Sequence, residues 1–190
     1  MDTYDAVIIM GSGFSHPESP VLDTSGKSRM DKALKLFQKG IATNILITGY
    51  ARHPKTLESF HDRVGTFLSV YVDREERDRI YTSPGYRYSK TTRGNILAAA
   101  DVIYEQGWKR VLVCTEKPHY IFRVRELSEK LIPKVRVDFT ESRRASLLYW
   151  IKEILYFPIR KLSKDNEKIE DGLRNLWKKI SPKFGYFVSR

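Results

Sequence analysis

Ala6-Val7-Ile8-Ile9-Met10 is an unbroken apolar run that stops at Gly11-Ser12-Gly13. A short run with no polar alternation is the pattern of a strand covered on both faces, and such strands belong to parallel sheets sandwiched between helices. The signature returns at Asn44-Ile45-Leu46-Ile47-Thr48, ending at Gly49, and at Arg110-Val111-Leu112-Val113-Cys114-Thr115. Shorter strands are expected at about Arg79–Thr82 and over Val135–Phe139. The stretches between them carry helical spacing. Met30, Ala33, Leu34 and Phe37 recur at three- and four-residue intervals, which predicts a helix from near Arg29 to Gly40. Leu57, Phe60, Val64 and Phe67-Leu68 mark a second helix, and Asn95 to Tyr104 a third that ends at Gly107. His119 to Leu131 reads as a fourth, broken by Pro133. Strands alternating with helices predict an α/β fold, a Rossmann-like three-layer sandwich with a mostly parallel sheet.

Beyond the last strand, Leu147 to Phe157 reads as a strongly apolar helix stopped at Pro158. Packing of that helix against the sheet is the first expectation, and contact with an anionic membrane surface the second. A basic amphipathic segment follows, with Ile169, Leu173, Leu176, Trp177 and Ile180 on one face. The expected organisation is one α/β domain over 1–158 and a C-terminal helical extension, a basic tail, over 159–190.

Composition narrows the partners. The chain has 190 residues and a formal net charge of +11. From Glu141 onward Lys and Arg outnumber Asp and Glu two to one, so over half of the excess lies in the last quarter. Such a balance points to anionic neighbours: phosphorylated small molecules, an anionic membrane surface, or nucleic acid. No nucleic-acid-binding motif is present, and nucleic acid is not the expected partner. Cys114 is the single cysteine, which excludes an intramolecular disulfide and reads as an inert core thiol. The first residues lack a signal-peptide pattern and no apolar run reaches membrane-spanning length. The expectation is a cytoplasmic protein, or one peripheral to the membrane, with no transmembrane segment.

Parallel sheets bind ligands outside the carboxyl ends of their strands. The residues expected at that rim are Gly11, Ser12 and Gly13 after the first strand and Thr48 and Gly49 after the second. Thr115, Glu116 and His119 follow the third apolar strand, and Ser89, Thr92 and Asn95 open a helix at the same edge. Glycines let backbone approach a ligand, and amides at helix starts favour anions. Arg29 and Arg123 are candidate anion ligands; Arg123 lies four residues after His119, on one helical face. His119 is the candidate acid/base, with Glu58 or Glu116 to orient it or take its proton. The histidines show no metal-ligand spacing, and no metal is expected.

In this order the residues resemble the YdcF-like family, a domain of unknown function, over about Asp5 to Glu153. The run from Asp5 to Gly11 is similar to its opening strand and glycine, and Arg29-Met30-Asp31-Lys32-Ala33-Leu34 to its first helix with a leading arginine. Ile45 to Gly49 is similar to the strand that in the family ends Ser-Gly-Gly, and Glu58 to the glutamate opening the next helix. Ser89-x-x-Thr92-x-x-Asn95 resembles S-x-x-T-x-E-N. Val111 to Thr115, then His119 and Arg123, resembles V-T-S-x-x-H-x-x-R. Gly94 stands where the family has a glutamate, the arginine comes four residues after the histidine instead of three, and the transmembrane anchors of some relatives have no counterpart. The resemblance implies an enzyme in the setting of cell-envelope metabolism, and the anion-friendly rim with His119 points to a hydrolase or transferase for a phosphorylated or nucleotide-like small molecule. The alternative is a non-catalytic module that binds a nucleotide or an S-adenosyl-type ligand. The cofactor stays open between S-adenosylmethionine and a nucleotide.

Overall fold

The computed structural model describes residues 3–15, 18–49, 52–53, 55–83 and 91–162. Ser89 and the tail after Leu162, both singled out above, lie outside the described residues. The strands are β1 (Tyr4–Ile9), β2 (Ala42–Ile47), β3 (Ile80–Thr82), β4 (Arg110–Thr115) and β5 (Arg136–Glu141). All pair in parallel, in the order β3-β2-β1-β4-β5. The expected α/β sandwich is the observed one.

Side-chain alternation builds the three layers. Ala6, Ile8, Met10, Val111 and Val113 point to one face and pack with α4 (Thr92–Glu105) and α6 (Arg125–Leu131). Val7, Ile9, Ile45, Ile47, Leu112 and Cys114 point to the other, against α1 (Thr24–Gln38) and α2 (Phe60–Tyr71). A short α3 (Arg74–Arg77) leads into β3.

Several boundaries differ from the sequence expectation: α2 starts only at Phe60, leaving Leu57 outside it with φ 58, and α4 starts already at Thr92. Helix α1 starts at Thr24, over a turn before Arg29, because Asp23 caps it by accepting from the Gly26 amide. Gly26 looks like a loop residue in sequence, but a Cβ there would stand 3.0 Å from the Phe60 ring, so glycine lets α1 and α2 close up. After β4 the chain forms α5 (Lys117–His119), a π turn (Tyr120–Val124) and then α6, instead of one regular helix. Finally, α7 (Leu147–Leu162) does not stop at Pro158 but runs through it, past the boundary expected at 158/159. Proline removes one intrahelical bond and bends a helix without always ending it. That helix rests mainly on the α5 and π-turn segment rather than on the sheet. Among the described residues, no helix is long and apolar enough to cross a membrane.

Candidate functional site

The chain leaves β1 for β2 on one side while β4 lies on the other, so the crevice between β1 and β4 is the switch point of the sheet. Arg29, from the second turn of α1, spans it. Its Nη1 donates to the carbonyls of Met10 and Gly11, both at 2.9 Å. Its Nε donates to Glu116 Oε2 at 3.1 Å, and Nη2 makes a closer contact with the same oxygen. Both side chains are buried. Burial is the largest single influence on each and works against its charge, but the partner's opposite charge and the surrounding hydrogen bonds together outweigh it: Arg29 is held above the usual arginine range and Glu116 well below the usual carboxylate range. Ser25 Oγ donates to Glu116 Oε1 at 2.5 Å, and Arg143 Nε lies 3.3 Å from that oxygen. A buried pair of this kind fixes geometry more than it adds stability, since most of its attraction repays desolvation.

The second half of the cluster is His119, which α5 carries at its end. Its Nδ1 lies 2.8 Å from Thr115 Oγ1 and its Nε2 lies 3.1 Å from Thr92 Oγ1. Thr115 Oγ1 donates its own proton to Glu116 Oε2 at 3.4 Å. The threonine oxygen therefore accepts from Nδ1–H, and Nε2 is left as the acceptor facing the Thr92 hydroxyl. Burial lowers the imidazole's proton affinity well below the ordinary value. The nearby Arg29 and Arg123 charges lower it further, and Glu116 offsets only part of this. His119 is a neutral base at pH 7, with its lone pair on a hydroxyl at the first turn of α4. Thr91 is the residue that caps this helix, by accepting from the Gly94 amide, which leaves the Thr92 hydroxyl to the histidine.

The structure thus joins Arg29, Thr92, Thr115, Glu116 and His119 in one network. Gly11, Thr48, Gly49 and Asn95 form a second, steric group beside it. A Cβ on Gly11 would meet the Gly49 Cα at 2.5 Å and the Asn95 amide nitrogen at 3.1 Å. Gly49 has φ +97, so the loops after β1 and β2 touch backbone to backbone through conformations that only glycine tolerates there. Thr48 is fully buried and donates to the Ile9 carbonyl at 3.0 Å, tying β2 to β1.

Other expected ligands are engaged within the protein. Ser12 Oγ donates to both oxygens of Asp23 at 2.6 and 2.7 Å, and the Gly13 amide donates to Asp23 Oδ2 at 3.2 Å. The loop that looks ready for an external anion thus wraps an internal carboxylate, the cap of α1. Arg29 likewise holds Glu116 and two carbonyls, which makes it a brace of the crevice. Arg123 Nε donates to Glu153 Oε2 at 2.6 Å, where the buried Glu153 carboxylate on α7 requires a cation; the π turn replaces the α-helical face it was expected to share with His119. Glu58 pairs with Arg63 at 3.9 Å, and no described bond links it to His119.

Sequence reasoning overlooked Asp23, Ser25 and Arg143. Asp23-x-x-Gly26 is a legible helix-cap pattern. Arg143 follows β5 as Glu116 follows β4, so the strand-end rule points to it as well. It is also the accessible cation of the cluster, 36% exposed against 4% for Arg29. Cys114, next to last in β4, is wholly buried, its thiol pushed up to about 12 by burial. Among the described residues, no group of three His, Cys, Asp or Glu side chains is placed to hold a metal ion. No family model, no curated protein and no solved structure matches the chain.

Proposed function

We propose that the chain is a YdcF-like domain enzyme, a hydrolase or transferase acting on a phosphorylated or nucleotide-like small molecule at the β1/β4 crevice. One observation carries this reading: His119 is buried, neutral and oriented on both nitrogens, with its acceptor nitrogen 3.1 Å from the Thr92 hydroxyl. A neutral imidazole with its free nitrogen on a hydroxyl is in the protonation state a general base needs near pH 7. Negative charge that develops there faces the start of α4, whose backbone dipole favours it. Around the imidazole, Arg29, Arg123 and Lys152 stand against Glu116, with Arg143 on the far oxygen of that glutamate, so cations are in excess. Arg143 is the one we assign to grip the anionic substrate, because it reaches solvent. Of the residues that carry the resemblance, Arg29, Thr92, Thr115 and His119 share one network there, which supports the reading, and envelope metabolism is the setting that the resemblance implies.

The test is a turnover screen of purified protein on phosphomonoesters, nucleotides and sugar nucleotides, read by mass spectrometry. His119→Gln is expected to lower kcat by about 10²–10⁴-fold, the span of general acid–base catalysis. Arg143→Ala is expected to raise KM. Full activity of the His119 variant on a substrate that the parent turns over would sink the assignment. A second reading, a non-catalytic module for a nucleotide or S-adenosyl-type ligand, draws on Gly94 in place of the family's glutamate and on Glu116 being committed to Arg29. Ligand that co-purifies and is recovered unchanged after incubation would favour it.

A further inference from the structure

Helix α7 is inside out for a helix packed on a globular domain. At 3.6 residues per turn, Leu147, Leu148, Ile151, Ile154, Leu155 and Pro158 fall on one arc of roughly 120°. All six are exposed, the aliphatic ones from 39% at Ile151 to 74% at Leu147. The opposite arc carries the aromatic and charged residues, and that is the side the protein covers. Trp150 and Phe157 meet the Phe122 ring, Glu153 is buried on Arg123, and Lys152 Nζ lies 5.1 Å from the Tyr149 ring centre. A polar, aromatic face turned inward and a purely aliphatic face turned outward mean that the outer face is made for something other than water.

We propose that the outer face of α7 docks on an anionic lipid bilayer surface, lying in the interface plane. Charge selects this occupant. The one acidic residue of α7, Glu153, is turned inward, and the helix is bracketed by Arg144 before it and by Arg160 and Lys161 in its last turn. The segment after Leu162 adds further excess of Lys and Arg over Asp and Glu, together with Trp177, Phe184, Tyr186 and Phe187. Aliphatic side chains flanked by basic ones on a helix of this length form an interfacial membrane anchor. A second copy of the chain fits less well, because pairing these faces would bring two sets of arginines together in a protein of net charge +11.

The test is co-sedimentation of the full chain with vesicles of phosphatidylcholine alone or with about one-third phosphatidylglycerol. Three proteins are compared: the parent, Ile151→Gln with Leu155→Gln, and Val70→Gln, a control at an exposed apolar residue of α2. The parent is expected to bind the anionic vesicles at least about tenfold more tightly than the neutral ones, with partial weakening in high salt. The α7 variant is expected to lose about tenfold or more of that binding with its melting temperature unchanged, and Val70→Gln to bind like the parent. No binding to anionic vesicles at low salt would overturn the proposal, as would equal loss in the Val70 control. Undiminished binding by the α7 variant would leave the charges of the tail as the whole cause and overturn it too. A parent dimer in light scattering that the α7 variant abolishes would assign the face to a second copy. A fall of several degrees in the variant's melting temperature would assign it to the chain's own tail. Either result refutes docking on lipid.

Discussion

Thr92 Oγ1 stands 3.1 Å from His119 Nε2 across 27 residues of sequence, each side chain delivered by the first turn of a different helix. Both helices start at the carboxyl edge of the sheet, one with a threonine cap and the other with Lys117-Pro118 after the inward-turned Glu116. The contact therefore depends on where β4 and α4 sit in the fold. Proximity along the chain has no part in it.

The network makes His119 a neutral imidazole with its proton on Nδ1. Nitrogen-edited NMR of the histidine side chains is expected to show that tautomer unchanged from pH 8 to pH 6. Thr91→Ala removes the cap of α4 and should cost about 1 kcal/mol of stability without moving this signal. Thr92→Val should move it.

Glu116→Gln takes the counter-charge from buried Arg29 and should destabilise the fold by about 3–5 kcal/mol, read by urea unfolding at pH 7. The pH dependence has a defined sign. A carboxylate whose folded value is depressed contributes stability that is complete above its ordinary value of 4.5 and is lost as pH falls below it toward the folded value. The steep acid limb of the parent below pH 4.5 should therefore flatten in the variant.

His119 acts in a separate, higher window. Its folded proton affinity is lowered, so below the ordinary value of 6.5 the unfolded chain takes up a proton that the folded chain refuses. Stability should fall on acidification from pH 6.5 toward 5, and His119→Gln should remove part of that slope. His61, lowered by burial as well, accounts for a further part. Unfolding free energies at half-unit pH steps would separate the two.

Glycines divide sharply by position. Gly11→Ala would force a Cβ to within 2.5 Å of the Gly49 backbone and is expected to cost about 1–3 kcal/mol or more. Gly65 lies inside α2, and a Cβ added there would meet nothing within 4 Å, so Gly65→Ala should stabilise by about 0.5–1 kcal/mol. Paired melting curves would check both.

Cys114 is wholly buried and its thiol is pushed up to about 12, so at pH 8 it should resist a thiol reagent in the native state. It should react stoichiometrically in denaturant. Rapid native labelling would contradict its buried place in β4.

The layered sheet was written in local pattern. Unbroken apolar runs at β1, β2 and β4 and three- to four-residue spacing between them need no long-range information, because burial on two faces and burial on one stripe leave different periods. The rim residues were legible as a set for the same reason: strand ends are visible, and parallel strands end at one edge. What those residues do there was decided in three dimensions. Sequence cannot show that Asp23 takes up the Ser12 and Gly13 donors, that Arg29 is consumed by Glu116, or that Arg123 turns to Glu153. A polar side chain's role is set by which opposite charge is buried within reach of it, and those partners lie up to 87 residues away. The outward aliphatic face of α7 follows the same rule, since its amphipathic pattern is visible in the chain but which side meets the protein depends on Phe122 and Arg123 waiting beneath it.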